Sequence, residues 1–181
     1  MHDGDLSLPR VIGVVVVLYT GTGPGKTSAA LGIALRALGH GKRIVVVQFM
    51  KWWKETGEYR AAKKLGRQFQ IRQFGRKGWI GLKNLGPEDR KLALEGLGFA
   101  EKALRQGADV LVLDEINLAL HCGLLKVDEV LSLLRKAPKK TVVILTGRHA
   151  PRQLLEMADV AVELKERKLP KKMRAIEGLN F

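Results

Sequence analysis

The residues best suited to chemistry stand together in one short stretch, Gly21-Thr-Gly-Pro-Gly-Lys-Thr-Ser28. Gly21, Gly23 and Gly25 let backbone N–H groups turn inward around phosphate oxygens, Lys26 adds a cation, and the Thr27 hydroxyl can reach a divalent metal. A helix starting directly after the loop would add a favourable dipole. The common spacing G-x-x-x-x-G-K-[ST] asks for glycine at position 20, where this chain has Thr20, so the loop is a variant. Three glycines alone would serve a tight turn, but such a turn requires neither Lys26 nor Thr27. The chemistry expected here is binding of a nucleotide's triphosphate, with Thr22, Pro24 and Ser28 completing the cradle.

A second group is Val110-Leu-Val-Leu-Asp114-Glu115, an apolar run ending in two carboxylates. At the C-terminal edge of a parallel sheet these carboxylates would face the phosphate loop, where a hard cation needs oxygen ligands. In a hydrolytic NTPase, Glu115 would orient the attacking water.

Elements must bring these groups together. Apolar, β-branched runs at 11–19, 43–49, 68–74, 109–113, 141–145 and 160–164 read as six strands. Most are apolar throughout rather than alternating, so both faces of the sheet should be covered, as in parallel α/β architecture. Helical spacing covers 26–38, ending at Gly39 and Gly41, and 87–105, with Gly86 before it and Pro87 at its first position. Further helices are expected at 127–136, closed by Pro138, and at 151–157, opened by Pro151. The longest loop expected is 75–86, with four glycines, and long loops in compact domains tend to be functional. The fold class that follows is α/β: a mainly parallel six-stranded sheet with helices on both faces, a RecA-like P-loop NTPase fold.

At 181 residues the chain suits one domain, 1–181, with a short N-terminal arm and a basic C-terminal segment. The run at 11–19 is well below the roughly 20 apolar residues that span a bilayer, so no membrane association is expected. No export signal is expected either, and a single cysteine, Cys122, excludes an internal disulfide framework and fits a cytoplasmic location. Lys and Arg exceed Asp and Glu by 32 to 18, a net charge of +14, which suits a polyanionic partner: nucleic acid, a triphosphate or a carboxylate-rich substrate. Aromatics are only 6% of the chain and form no base-stacking platform, so a solvated basic surface is the alternative reading of this charge, and nucleic acid is not expected as a partner.

In succession, Gly21 to Ser28, Arg36-Ala-Leu-Gly-His-Gly41, Val47-Gln-Phe-Met-Lys51, Asp114-Glu-Ile-Asn117, Gly123-Leu-Leu125 and Thr146-Gly-Arg148 resemble the P-loop ATP:corrinoid adenosyltransferases. The resemblance runs on through Glu156-Met-Ala-Asp159 to the closing segment at 174–181. It implies transfer of the 5′-deoxyadenosyl group of ATP to the cobalt(I) of a reduced corrinoid, with release of triphosphate, in adenosylcobalamin synthesis or salvage. It also implies ATP held in the reverse sense from ordinary P-loop enzymes, Mg²⁺ or Mn²⁺ as cofactor, an electron donor that reduces the cobalt, and a homodimer. Gly21, Gly23, Gly25, Lys26, Thr27 and Ser28 match the family's phosphate loop. Thr27, Asp114 and Glu115 are the expected metal surroundings, with the directly bound carboxylate left open. Lys26, Thr27 and Glu115 are the expected catalytic residues, and Arg36, Lys51 and Arg148 the further nucleotide contacts.

On the corrinoid side the family places aromatics after its third strand, and Phe74 and Trp79 match that location. Arg76 or Lys77 stands where a second aromatic is often found. Other departures are Thr22 and Pro24 in place of asparagine and lysine, and Trp52 in place of glycine. His40, His121, His149 and Cys122 are read as structural. The rival reading is a RecA-like ATPase acting on nucleic acid, with Glu115 orienting water and the six Lys or Arg of 165–174 contacting phosphates. A nucleotide-binding regulator without turnover would keep Lys26 and need neither partner.

Overall fold

The computed structural model describes residues 13–78, 81–168 and 176–178. Its sheet contains β1 (Val15–Thr20), β2 (Ile44–Phe49), β3 (Phe69–Phe74), β4 (Val110–Asp114), β5 (Val142–Thr146) and β6 (Val160–Glu163). The strands lie in the order β3-β2-β4-β5-β1-β6, and every pairing is parallel. All six expected strands form. Residues 11 and 12 of the first run, with the N-terminal arm, lie outside the described residues.

Because successive side chains of a strand point to opposite faces, each apolar run feeds two cores. Leu18, Val47, Leu111, Leu113 and Leu145 cluster with α3 (Pro87–Arg105), α4 (Ile116–His121), α5 (Val127–Lys136) and α6 (Arg152–Met157). Val17, Val46, Ile71, Val112 and Ile144 cluster with α1 (Lys26–Gly39) and α2 (Gly57–Leu65). Helices therefore cover both faces, as the unbroken apolar runs require. The expectation fails at one edge: all four residues of β6 are exposed.

The helices begin and close-pack for identifiable reasons. Ala30 and Ala34 are fully buried, and their small side chains let α1 lie close on the sheet. At α3, Pro87 occupies the first turn and Asp89 accepts a hydrogen bond from the Gly86 N–H at 2.8 Å, satisfying a donor at the helix start. Further along, a Cβ at Gly96 would sit 2.9 Å from the Phe49 ring and 3.1 Å from the Phe74 ring. Only glycine lets α3 seat both rings there.

Helices α2 and α4 were not expected from the pattern. α2 is short and mainly polar, burying only Ala62 with Tyr59 packed beside it, and α4 is six residues long. Within the loop expected at 75–86, the regular structure among the described residues is a 3₁₀ turn, Leu82–Asn84.

Candidate active site

The phosphate loop lies between β1 and α1, so the first turn of α1 presents its N–H groups at the C-terminal edge of the sheet. Gly21 and Gly25 take φ values of 98° and 99°, which favour glycine. A Cβ at Gly21 would also lie 2.3 Å from the carbonyl oxygen of Leu164, and the Gly23 N–H donates to that same carbonyl at 2.8 Å. The glycines thus fit the loop to the chain leaving β6 as well as to an anion. Beside them Thr22 Oγ1 donates to Glu166 Oε2 at 2.6 Å.

Lys26 is buried, and its Nζ donates to the carbonyls of Gly21 at 2.8 Å and Gly23 at 2.6 Å. Burial lowers its pKa, partly opposed by Glu115. The ammonium is thus held inside the curve of the loop, where the charge of a bound phosphate would restore its proton affinity.

Asp114 ends β4 fully buried and is surrounded by donors. Its Oδ1 accepts from Thr27 Oγ1 at 2.8 Å and Thr146 Oγ1 at 2.7 Å, and its Oδ2 from Lys51 Nζ at 2.7 Å and Gln48 Nε2 at 3.0 Å. Burial alone would push this carboxyl up, but Lys51 and the hydroxyl hydrogen bonds hold it below the ordinary range. Burial likewise pushes the Lys51 ammonium down, and Asp114 outweighs it and raises the pKa. The two form an ion pair with no spare acceptor on the carboxylate.

Glu115 is the opposite case. Its backbone is left-handed at φ 62°, and its N–H donates to Thr146 Oγ1 at 3.0 Å. Its Oε2 is buried with no hydrogen-bond partner among the described residues. Burial and the neighbouring Asp114 charge raise its pKa, against Lys51, Lys26 and Arg148. A carboxylate oxygen left unpaired beside three cations suits a bound cation, and the Thr27 hydroxyl, whose proton is given to Asp114, keeps lone pairs for the same ion. Hard oxygen donors of this kind fit Mg²⁺.

Non-glycine residues with positive φ sit just beyond three strand ends: Met50 after β2, Glu115 after β4 and His149 after β5, at 58°, 62° and 59°. Such strain concentrates where geometry serves a site. A cavity of about 830 Å³ opens along this edge, lined at one end by Gly25, Thr27, Ser28 and Glu115 and at the other by Phe74, Gly75 and Leu82. Pro24 and Lys51 also line it.

Most of the expected site residues are therefore gathered. Arg148 is exposed, close enough to Lys26 and Glu115 for its charge to act on both. Phe74 lines the cavity with its ring 5.7 Å from that of Phe99. Arg36 is not brought in: it is exposed in the last turn of α1, about 15 Å along the helix from Lys26 at 1.5 Å per residue. Trp79 lies outside the described residues. Arg76, standing where a second aromatic is common, works as a strut: its Nε donates to Asp89 Oδ1 at 2.8 Å and its Nη2 to the Asn84 carbonyl at 3.0 Å.

Gln48, Thr146 and Asn117, all fully buried, have no role that the sequence pattern predicts. Gln48 and Thr146 hold Asp114, and Asn117 Nδ2 donates to the Gly147 carbonyl at 3.1 Å. A glutamine inside the otherwise apolar IVVVQF strand was the available signal.

Residues 13–181 match the family model described as ATP:corrinoid adenosyltransferase BtuR/CobO/CobP. The chain belongs to the ATP:corrinoid adenosyltransferase family. It is 35% identical to the corrinoid adenosyltransferase of Escherichia coli K12 over 152 residues, covering 83% of this chain and 76% of that protein. It is also 35% identical to the corrinoid adenosyltransferase CobA of Salmonella typhimurium over 154 residues, with the same coverage. An uncharacterized protein of Nostoc sp. is 38% identical over 176 residues, 90% of this chain and 46% of the other, so the chain spans about half the length of that relative. An ATP:corrinoid adenosyltransferase needs a triphosphate cradle and an apolar approach for a macrocycle in one cleft, and the cavity joins a phosphate loop to an aromatic end. The reading as an ATPase acting on nucleic acid is not favoured by these matches. No helix among the described residues is long and apolar enough to cross a membrane.

Proposed function

We propose that this chain, as one domain over 1–181, moves the 5′-deoxyadenosyl group of ATP to the cobalt(I) of a corrinoid and releases triphosphate. The observation that carries the reading is the continuity of one cavity from the phosphate loop past the unpaired Glu115 oxygen to Phe74. In this reaction the cobalt(I) electron pair forms the bond to C5′ while the C5′–O5′ bond breaks, its electrons leaving with triphosphate. No proton has to be removed. What the protein must supply is alignment of C5′ with the metal and stabilisation of charge on the leaving group.

Lys26, the loop amides around Gly21, Gly23 and Gly25, and the start of α1 at Thr27 and Ser28 bind the triphosphate. Arg148 adds charge from the exposed rim. Thr27 and Glu115 would hold Mg²⁺ directly, and Asp114 acts behind them by fixing the Thr27 hydroxyl and Lys51. Bound there, Mg²⁺ supplies Lewis-acid stabilisation of the departing phosphate charge. Phe74 and Trp79 take the corrinoid side. The chain works as a cytoplasmic homodimer served by a separate electron donor.

The test is ATP with chemically reduced corrinoid, followed by identification of products. Triphosphate and an adenosylated corrinoid are expected. ADP and phosphate formed without corrinoid and stimulated by DNA or RNA would overturn the reading.

A further inference from the structure

The loop from β2 to α2 carries two adjacent indoles, Trp52 and Trp53, whose ring centroids lie 5.8 Å apart with planes inclined at 55°. Both line the cavity. Trp53 is 48% exposed, which is unusual for so large an apolar side chain beside a polar site. Two further observations say that the pair is placed rather than loose. Gln73, the residue before Phe74, donates from Nε2 to the Trp53 carbonyl at 2.9 Å and to Gln48 Oε1 at 3.0 Å. Gln48 in turn donates to Asp114 and to Glu58 Oε1, at 3.0 and 3.2 Å. The backbone that carries Trp53 is thus tied through Gln73 to the end of β3 and, by way of the buried Gln48, to the carboxylate at the phosphate loop.

We infer that Trp52 and Trp53 form an aromatic shelf that binds the corrin macrocycle from the β2 side, facing the Phe74 side of the same cavity. This inference rests on the adenosyl-transfer reading. A purine stacks on one ring, whereas two neighbouring rings inclined at 55° offer two apolar planes, which suits a puckered macrocycle. The indole N–H groups are donors, and the amide carbonyls around a corrin offer acceptors for them. Gln73 and Phe74 are successive residues of β3 and point to opposite faces of the sheet, so the shelf held by Gln73 and the Phe74 ring line the cavity from its two sides.

The experiment compares the full-length wild type with a Trp52→Ala, Trp53→Ala double variant and with Trp53→Phe. Adenosylation of cobalamin reduced to cobalt(I) gives separate KM values for corrinoid and ATP, and anaerobic equilibrium dialysis measures retention of cob(II)alamin. The double variant should raise the corrinoid KM roughly ten-fold or more, the scale of losing a buried aromatic anchor, with the ATP KM within about two-fold. Trp53→Phe should recover most of the loss. An unchanged corrinoid KM would remove the shelf and leave adenosyl transfer standing, and an equal rise in the ATP KM would mean that the indoles serve the nucleotide or the fold. If the wild type transfers no adenosyl group, the functional reading fails first and dialysis judges the shelf: retention lost in the double variant keeps it, and no retention by the wild type sinks it too.

Discussion

The two ends of the cavity are built on opposite principles. At the phosphate end, polar groups are buried and nearly all paired: Asp114 accepts four hydrogen bonds, and Lys26 is folded against two carbonyls. At the other end, apolar groups are left open to the cleft, with Trp53 and Leu82 nearly half exposed. The first end is fixed before a ligand arrives, because charge stabilisation depends on dipoles that need not reorganise. The second offers surface, because a macrocycle gains affinity by covering apolar area. The Gln48–Gln73 pair joins the two.

The sharpest way to break this contrast is Lys26→Ala. Losing the cation at the departing triphosphate should lower kcat/KM about 10²- to 10³-fold, comparable to removing an oxyanion donor, with the fold unchanged by circular dichroism. Near-normal turnover would mean that the loop only shapes the turn.

Next in size is Asp114→Ala, which leaves Lys51 facing a buried gap. Breaking such a pair costs about 3–5 kcal/mol, or roughly 6–20 °C in melting temperature for a domain of this size. The pH dependence has a definite sign. Asp114 is held below the ordinary carboxylate range, so its contribution is full above the unfolded value and lost as pH falls through the folded one. Lys51 is raised, so its share is full below the unfolded value and lost as pH rises through the folded one. The wild-type advantage should therefore be widest between about pH 4 and pH 10 and shrink on both sides. An advantage that peaks outside that window would contradict the ion pair.

Glu115→Gln should act more narrowly, raising the Mg²⁺ concentration for half-maximal rate by roughly ten-fold or more, on the scale seen when the surroundings of a metal are altered. Because cobalt(I) needs no deprotonation, the rate above about pH 6 should show no new titration in the variant. An unaltered Mg²⁺ titration would return the metal to Asp114 or elsewhere. The smallest effect is expected at Arg36, whose place at the far end of α1 predicts that Arg36→Ala leaves the ATP KM within about two-fold. A large rise would show that the nucleotide site draws on a second copy of the chain, since this one keeps Arg36 apart.

What the sequence determined by itself is what local spacing can carry. Glycines, Lys26 and Thr27 in consecutive register specify a phosphate loop because neighbours in the chain are neighbours around the anion. Unbroken β-branched runs specify a sheet covered on both faces for the same local reason, and the rule stops at β6, which is exposed although the other edge strand, β3, buries Phe69 and Ile71. Only the tertiary structure decided which carboxylate is free. Asp114 and Glu115 are adjacent in the sequence and equally acidic there, but the partners that saturate Asp114 come from β2, β5, α1 and the β2–α2 loop, 32 to 87 residues away. The left-handed backbone at Glu115 turns the next carboxylate away from those donors, leaving its oxygen unpaired. Long-range hydrogen bonds of this kind follow strand order, which no short window of sequence contains.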